Sequence, residues 1–454
     1  MKNKLIILAI LVCTASSVKA QRACKYRVFL KNKVNTEYTI DKPEAFLSRK
    51  SLDRRLRQNI KVSESDLPVS KKYLDAIREK GAEPIVTSRW NNTVTVQSTD
   101  SLLPDKLSNL PFVAKVEKVW VAPDSVPARN KERKKQVTDK LTKTENYYGP
   151  AYRQIQIHNG DSLHAAGFKG NGMMIAIIDG GFYNADAIKA LKNVKLEGTR
   201  DFADPHSDIY AENNHGMKVL SCMATNQPYI MVGTAPEASY WLLRSEDMDT
   251  EQLVEQDYWT AAVEFADSAG VDVVNTSLGY QAFDDRSQNY KYRNLDGKHA
   301  FISRTAGMAA DKGIVVLCSA GNEGAKTWKK ITPPGDAENV LTVAAVDSSL
   351  VNATFSSVGN TADGRIKPDV AAMGLRSAVL DVDGTVSHAN GTSFSTPTLC
   401  GLVACLWQAC PRLTAKELIE LVRNSGDRVA FPDNVFGYGI PDIWAAYKKT
   451  KEQK

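Results

Sequence analysis

After its first twenty residues the chain has no apolar run approaching the roughly 20 residues of a membrane-spanning helix. A helical membrane span is therefore excluded downstream of that point. None of its seven cysteines is spaced from another as zinc ligands are, which excludes a zinc ribbon or finger. There is no internal repeat and no low-complexity array, so the chain is not a solenoid. Histidine is scarce, with six in 454 residues, and none falls before His158. The front of the chain thus offers no imidazole for acid–base or metal chemistry.

What is present begins with Lys2 and Lys4 ahead of an apolar run over 5–12, followed by Val18-Lys19-Ala20. A basic start, a short apolar stretch and a small-x-small site form a secretory signal over residues 1–20, and they predict export to the periplasm or beyond. Cys13 follows Val12 rather than a small residue, so ordinary cleavage after Ala20 is expected rather than lipid attachment. Export permits disulfides. Yet Cys222, Cys318, Cys400 and Cys405 lie inside apolar helix or strand patterns, where free cysteine packs as a small hydrophobe.

Charge is unevenly shared. Residues 21–145 carry 27 Lys+Arg against 16 Asp+Glu, and residues 146–454 carry 28 against 36. A basic front and an acidic back attract each other. No nucleic-acid-binding module accompanies the basic part, so no nucleic-acid partner is expected.

Residues 21–122 read as one small α+β domain. Strands are predicted over 26–30, 89–97 and 113–121, and helices over 69–80 and 101–110. A further amphipathic helix over 43–59 places Phe46, Leu47, Leu52 and Leu56 on its apolar positions. With no catalytic cluster, this domain reads as a binding, folding or inhibitory module. Residues 123–150 hold Arg129, Lys131, Arg133, Lys134, Lys135, Lys140 and Lys143 among few large apolar residues. They read as a basic, flexible linker open to proteolysis.

Residues 151–454 alternate apolar strands (173–178, 239–243, 271–275, 313–319, 340–346) with helices (215–225, 250–269, 307–312, 393–408). This is the pattern of an α/β domain with a mostly parallel, doubly wound sheet covered on both faces.

Three residues of this second domain stand at strand ends or helix starts. Asp179 ends an apolar strand in Ala176-Ile177-Ile178-Asp179-Gly180-Gly181. His215 opens a helix in Asn213-Asn214-His215-Gly216, and Ser393 opens another in Gly391-Thr392-Ser393-Phe394-Ser395-Thr396-Pro397. Each alone could be a cap or a turn residue. Together they supply a nucleophile, an imidazole to move its proton and a carboxylate to orient the imidazole, in one of the known chain orders for that triad.

These three segments resemble the aspartate, histidine and serine motifs of the subtilisin-type serine proteases, the subtilases. Val274-Asn275-Thr276-Ser277-Leu278-Gly279 resembles the family's substrate-binding strand, and Ser319-Ala320-Gly321-Asn322-Glu323 its oxyanion-hole segment. The resemblance spans roughly residues 152–447, through Gly437-Tyr438-Gly439. It implies a subtilisin-like fold and peptide-bond hydrolysis by Asp179, His215 and Ser393, with Asn322 as oxyanion donor. Ser277, Leu278 and Gly279 would bind protein or peptide substrates. It makes the front domain a propeptide that assists folding and inhibits the enzyme intramolecularly. Departures are Gly180 in place of a hydroxyl residue, Met217 in place of a small or hydroxyl one, and Phe394 in place of methionine. Two other readings share the motifs: a non-catalytic peptide-binding protein of the same fold, and a processing protease for one partner. The chemistry requires no cofactor. Structural calcium is common in the family, but Asp284, Asp285 and Asp296 match no calcium-loop spacing and the ion stays unassigned.

Overall fold

Two sheets organise the chain in this computed structural model, which describes residues 22–124 and 136–452. The expected signal segment and the centre of the basic linker lie outside the described residues.

The front sheet is built from β1 (Cys24–Leu30), β2 (Glu83–Ser88), β3 (Thr93–Ser98) and β4 (Val113–Val121), with helices α1 (Arg49–Arg57), α2 (Lys71–Arg78) and α3 (Leu103–Ser108). Its order is β2-β3-β1-β4, antiparallel throughout. Because β1 lies between two strands, Val28 sits opposite both Val94 and Val116. Tyr26, Val28 and Leu30 alternate onto the domain's core with Val94, Val96, Leu103 and Leu107.

The helix expected over 43–59 is instead a 3₁₀ turn at Pro43–Ala45 followed by α1, which starts where the Ser48 side chain accepts from the Ser51 amide. Leu56, expected inside, is 77% exposed, whereas Arg54 and Arg55 are buried. The inward face of α1 is charged because it docks against an acidic helix of the second domain rather than on its own core.

The second domain carries β5 (Met174–Asp179), β6 (Lys195–Asp201), α4 (His215–Ala224), β7 (Ser239–Arg244), α5 (Val254–Ala269), β8 (Val273–Thr276), α6 (Phe301–Asp311), β9 (Val315–Ser319), β10 (Leu341–Val346), β11 (Val370–Met373) and α7 (Thr392–Ala409). The seven strands run β11-β10-β9-β8-β5-β7-β6, every neighbouring pair parallel. Side chains of β5 alternate between the two covered faces. Ile175 and Ile177 pack with α4 and α7, and Ala176 and Ile178 with α5 and α6. After β5 the chain builds β6 and β7 on one side of it, then returns to lay β8 through β11 on the other. The carboxyl ends of β5 and β8 therefore flank a switch point, where open α/β sheets bind ligands. The sequence reading missed β6, an edge strand with mostly exposed residues, and the four-residue β11.

The described end of the basic linker differs from expectation. Thr138 and Asp139 donate backbone bonds to Asp383, and Thr144 to Tyr229. Val137 and Leu141 pack on the second domain's core. Tyr148 is buried there and stacks with Tyr152. Residues 136–150 thus belong to the second domain's surface, because their few apolar residues find partners on it. The six described cysteines are all unpaired, and all but Cys24 are buried. Among the described residues no helix is long and apolar enough to cross a membrane.

Candidate active site

Asp179 is the last residue of β5 and is fully buried. Its Oδ1 accepts from His215 Nδ1 at 2.8 Å and from the Gly180 amide at 2.8 Å. His215 can reach it because Gly216 allows the start of α4 to lie against the end of β5. A Cβ at residue 216 would come within 2.9 Å of the Asp179 Cβ. The Asn213 side chain accepts from the His215 amide at 2.7 Å and fixes the helix start. Burial disfavours the imidazolium, yet the charge of Asp179 and its hydrogen bond, aided by Glu246, outweigh that cost and the nearby Lys218. The His215 pKa is held above its ordinary value. Asp179 Oδ2 is buried with no hydrogen-bond partner among the described residues, and Gly180 carries no hydroxyl that could supply one.

Ser393 lies in the first turn of α7, behind Gly391, whose φ of 150° disfavours any side chain. Pro397 sits inside this helix and has no N–H, so the Ser393 carbonyl lacks its i+4 donor. Ser277 Oγ fills the place, donating to Ser393 O at 3.0 Å, and is itself held by Asn275 Nδ2 at 3.1 Å. In return Ser393 Oγ donates to the Ser277 carbonyl at 3.2 Å. Ser277, just beyond the end of β8, thus clamps the serine from both sides. Leu278 and Gly279 follow it toward the surface. The Phe394 and His215 rings lie 5.7 Å apart, so Phe394 flanks the imidazole.

Asn322 is exposed beside this turn. Its Oδ1 accepts from the Thr392 amide at 2.9 Å and the Thr392 hydroxyl at 3.1 Å, which orients its Nδ2 toward Gly391. The structure thus brings Asp179, His215, Ser393, Asn322 and Ser277 to one edge of the sheet, at the ends of β5 and β8 and the starts of α4 and α7.

Sequence reasoning missed Glu246 and Tyr280. The Tyr280 hydroxyl donates to Glu246, which packs against Gly180. Burial pushes the Glu246 carboxyl up to about 8, with Tyr280 and His215 pulling the other way. No motif marks either residue. Only the position of Glu246 two residues beyond a strand end could have drawn attention to it.

The carboxylates of Asp284, Asp285 and Asp296 are each held by local hydrogen bonds. Asp284 accepts from the Glu251 amide, Asp285 from Ser287, and Asp296 from the amides of Lys298 and His299. Among the described residues no group of three or more His, Cys, Asp or Glu is arranged to hold a metal ion.

This constellation coincides with a sequence match. The model of the subtilase family, peptidase S8, matches residues 170–439. The chain belongs to the subtilase family. A second family model, the Bacteroidota propeptide domain of peptidase S8, matches residues 25–139. The chain is thus a member of a serine-protease family with its propeptide domain attached, the organisation of a zymogen. Subtilisin NAT of Bacillus subtilis subsp. natto is 26% identical over 376 residues, 82% of this chain and 84% of that protein. Serine protease AprX of Bacillus subtilis (strain 168) is 29% identical over 314 residues, 62% of this chain and 66% of that one. In fold, this subtilase resembles the MycP3 protease of the type VII (ESX-3) secretion system, with a TM-score of 0.52 at 22% identity over 69% of this chain and 93% of that one.

The propeptide domain rests on the acidic face of α5. Arg27 grips Asp257 through two hydrogen bonds of 2.7 and 2.6 Å. Glu264 accepts from Ser88 and from the amides of Arg89 and Trp90. Arg54, Arg55 and Arg89 converge on Asp267. At its end, β4 meets the segment before α5, where the Val121 amide and carbonyl both bond the Gln252 side chain.

Proposed function

We propose that this chain is an exported serine endopeptidase, made as a zymogen, that hydrolyses peptide bonds through an acyl-enzyme. One observation carries the reading: a buried aspartate bonded to an imidazole that packs against Phe394, next in the chain to a serine that Ser277 holds by both its hydroxyl and its carbonyl. Rotation about the Ser393 Cα–Cβ bond exchanges the Ser277 carbonyl for His215 Nε2. His215 then takes the hydroxyl proton as Oγ attacks the substrate carbonyl. Asp179 holds the proton on Nδ1 and stabilises the imidazolium. Asn322 Nδ2 and the Ser393 amide, at the positive start of α7, receive the oxyanion. His215 returns the proton to the leaving amine, and water then releases the acyl group. The substrate backbone adds as a strand along Ser277-Leu278-Gly279. A fluorophosphonate probe tests the reading: it should label Ser393 of the processed protein, and a folded, processed protein that never labels would overturn it.

Two results should follow. Asn322→Ala lowers turnover on the order of 10²–10³, with little change in KM, because the lost donor acts only on the developing oxyanion. A comparable loss in substrate affinity would instead mark Asn322 as a binding residue. The pH profile follows from the raised His215 pKa. Only the neutral imidazole accepts the serine proton, so kcat/KM falls as pH drops through that pKa, and the acid limb lies above the ordinary histidine value of about 6.5. A limb at or below that value contradicts the pairing with Asp179.

The propeptide domain is read as the intramolecular inhibitor, since β4 ends beside the segment that carries Glu246. Export rests on the signal pattern of residues 1–20, and the intact mass of the released protein checks both cleavages.

A further inference from the structure

Along most of the seam between the two domains each charge meets its opposite, as Arg27 meets Asp257 and three arginines meet Asp267. One place breaks this pattern. A cavity of about 590 Å³ opens between β1 and β4 of the propeptide domain and the segment that runs into α6. Lys115 and Lys118 line it from the propeptide side, and Lys291, Arg293 and Arg304 from the protease side. Glu117 is the only carboxylate in the lining among the described residues. It is shared between Arg27 and Lys115, at 3.3 Å from each. Arg27 is already spent on Asp257. Lys118, Lys291, Arg293 and Arg304 have no ion-pair partner among the described residues. Asp285 lies close enough to Lys118 to feel its charge, but its Oδ1 is taken by Ser287.

The floor of the cavity is firm. Phe301 is 5% exposed, the Arg27 guanidinium lies 3.8 Å from its ring centre, and Phe29 meets it edge-on at 6.4 Å. Arg304 is half-buried beside the same ring, where its Nε donates to Asn91 Oδ1 at 3.1 Å. Burial, with the charge of Arg27, holds the Arg304 pKa below the ordinary arginine value. Asn289 and Asn294 add donors to the lining, because a backbone amide occupies each Oδ1 and leaves Nδ2 over.

We propose that this cavity binds a compact polyvalent anion of two or three phosphate groups, and that the anion ties the propeptide domain to the protease domain. With Glu117 offsetting Lys115, four cations on two walls repel one another across a gap that neither domain fills. One phosphate carries about two negative charges at neutral pH, so a single group leaves the lining unbalanced and two or three balance it. Guanidinium and ammonium groups give phosphate oxygens short, charge-assisted hydrogen bonds. The site exists only while the domains are joined, since Lys115 and Lys118 leave with the propeptide. An anion that binds the joined form alone stabilises it by mass action and delays release. This goes beyond the protease reading, because it concerns the joined domains and not the chemistry of Ser393.

The test titrates sodium tripolyphosphate calorimetrically into the full chain carrying Ser393→Ala, which stays joined, with sodium chloride holding the ionic strength constant. One saturable site is expected. Lys118→Gln on one wall and Arg293→Gln on the other should each weaken binding roughly 10–100-fold, whereas Lys118→Arg should keep it. In the processed complex, tripolyphosphate at 100 times its Kd should tighten the hold of the propeptide about 100-fold, read as slower appearance of propeptide-free protein on size-exclusion chromatography. Without the anion, Arg293→Gln should hold the propeptide at least as tightly as the wild type, since a repelling charge is gone. A merely structural role for Arg293 would weaken the hold with or without the anion. No saturable binding, or a chloride effect equal to that of tripolyphosphate, overturns the proposal, and so does binding that both glutamine variants leave unchanged. Release that the bound anion does not slow overturns the tie between the domains. None of these readouts needs turnover, so failure of the acyl-enzyme reading would show separately, as absent fluorophosphonate labelling.

Discussion

Replacing Ser393 by alanine should lower turnover on the order of 10⁶, and adding His215→Ala to that variant should lower it hardly further. The two side chains perform one act. Without the nucleophile there is no proton for the imidazole to take, and without the imidazole the hydroxyl stays protonated at neutral pH. Their separate losses therefore overlap rather than add. Asp179→Asn should cost less, on the order of 10⁴, because it leaves both reacting groups in place and spoils only the tautomer of His215. The residual rate in the double variant measures what Asn322 and the helix start contribute by themselves. Steady-state assays of the three single variants and the double variant check the pattern. Losses that multiply across Ser393 and His215 would show that the two act independently and would break the triad assignment. Near-wild-type turnover in either single variant would remove it altogether. Fold is not at stake in the serine variant, since Ser277 can still donate to the backbone carbonyl of residue 393.

Much of this site was legible because its residues occupy places where the chain changes character. Asp179 ends an apolar run, and His215 and Ser393 each begin one, with glycines that mark tight approaches. The clamp on the serine was not legible, although both halves were in plain view. Pro397 reads as a motif residue, but its effect is to free a carbonyl that Ser277, 116 residues earlier, satisfies. Glu246 carries no motif, and only the fold sets it beside Tyr280 and Gly180. In the front domain, period alone assigned Leu56 to the inside, yet burial there is decided by a partner in another domain. The uneven charge of the two halves foresaw an attraction but not its arrangement, in which Asp257, Glu264 and Asp267 all lie on α5.

That arrangement makes Asp267 the residue on which the hold of the propeptide should depend most. Its side chain is fully buried and receives Arg54, Arg55 and Arg89, themselves at most 10% exposed. Removing one partner from a buried ion pair costs about 3–5 kcal/mol, because the remaining charge stays desolvated and uncompensated. Asp267→Ala strands part of three arginines, although Arg55 keeps Asp66 at 3.2 Å and Arg89 keeps the Glu264 carbonyl at 2.9 Å. After linker cleavage, the affinity of the propeptide domain should therefore fall by about two to four orders of magnitude. Dissociation of the processed complex on dilution, followed by size-exclusion chromatography and by the appearance of activity, measures it. Exchanging Asp267, Arg54, Arg55 and Arg89 together for apolar residues of similar volume should recover much of the loss, since the cost lies in unpaired charge rather than in the missing pair itself. If this combined exchange is as weak as Asp267→Ala, the ion pairs supply net affinity and the attraction between the two halves is more than the avoidance of a buried charge. If Asp267→Ala binds as tightly as wild type, the hold rests on Asp257 and Glu264 instead.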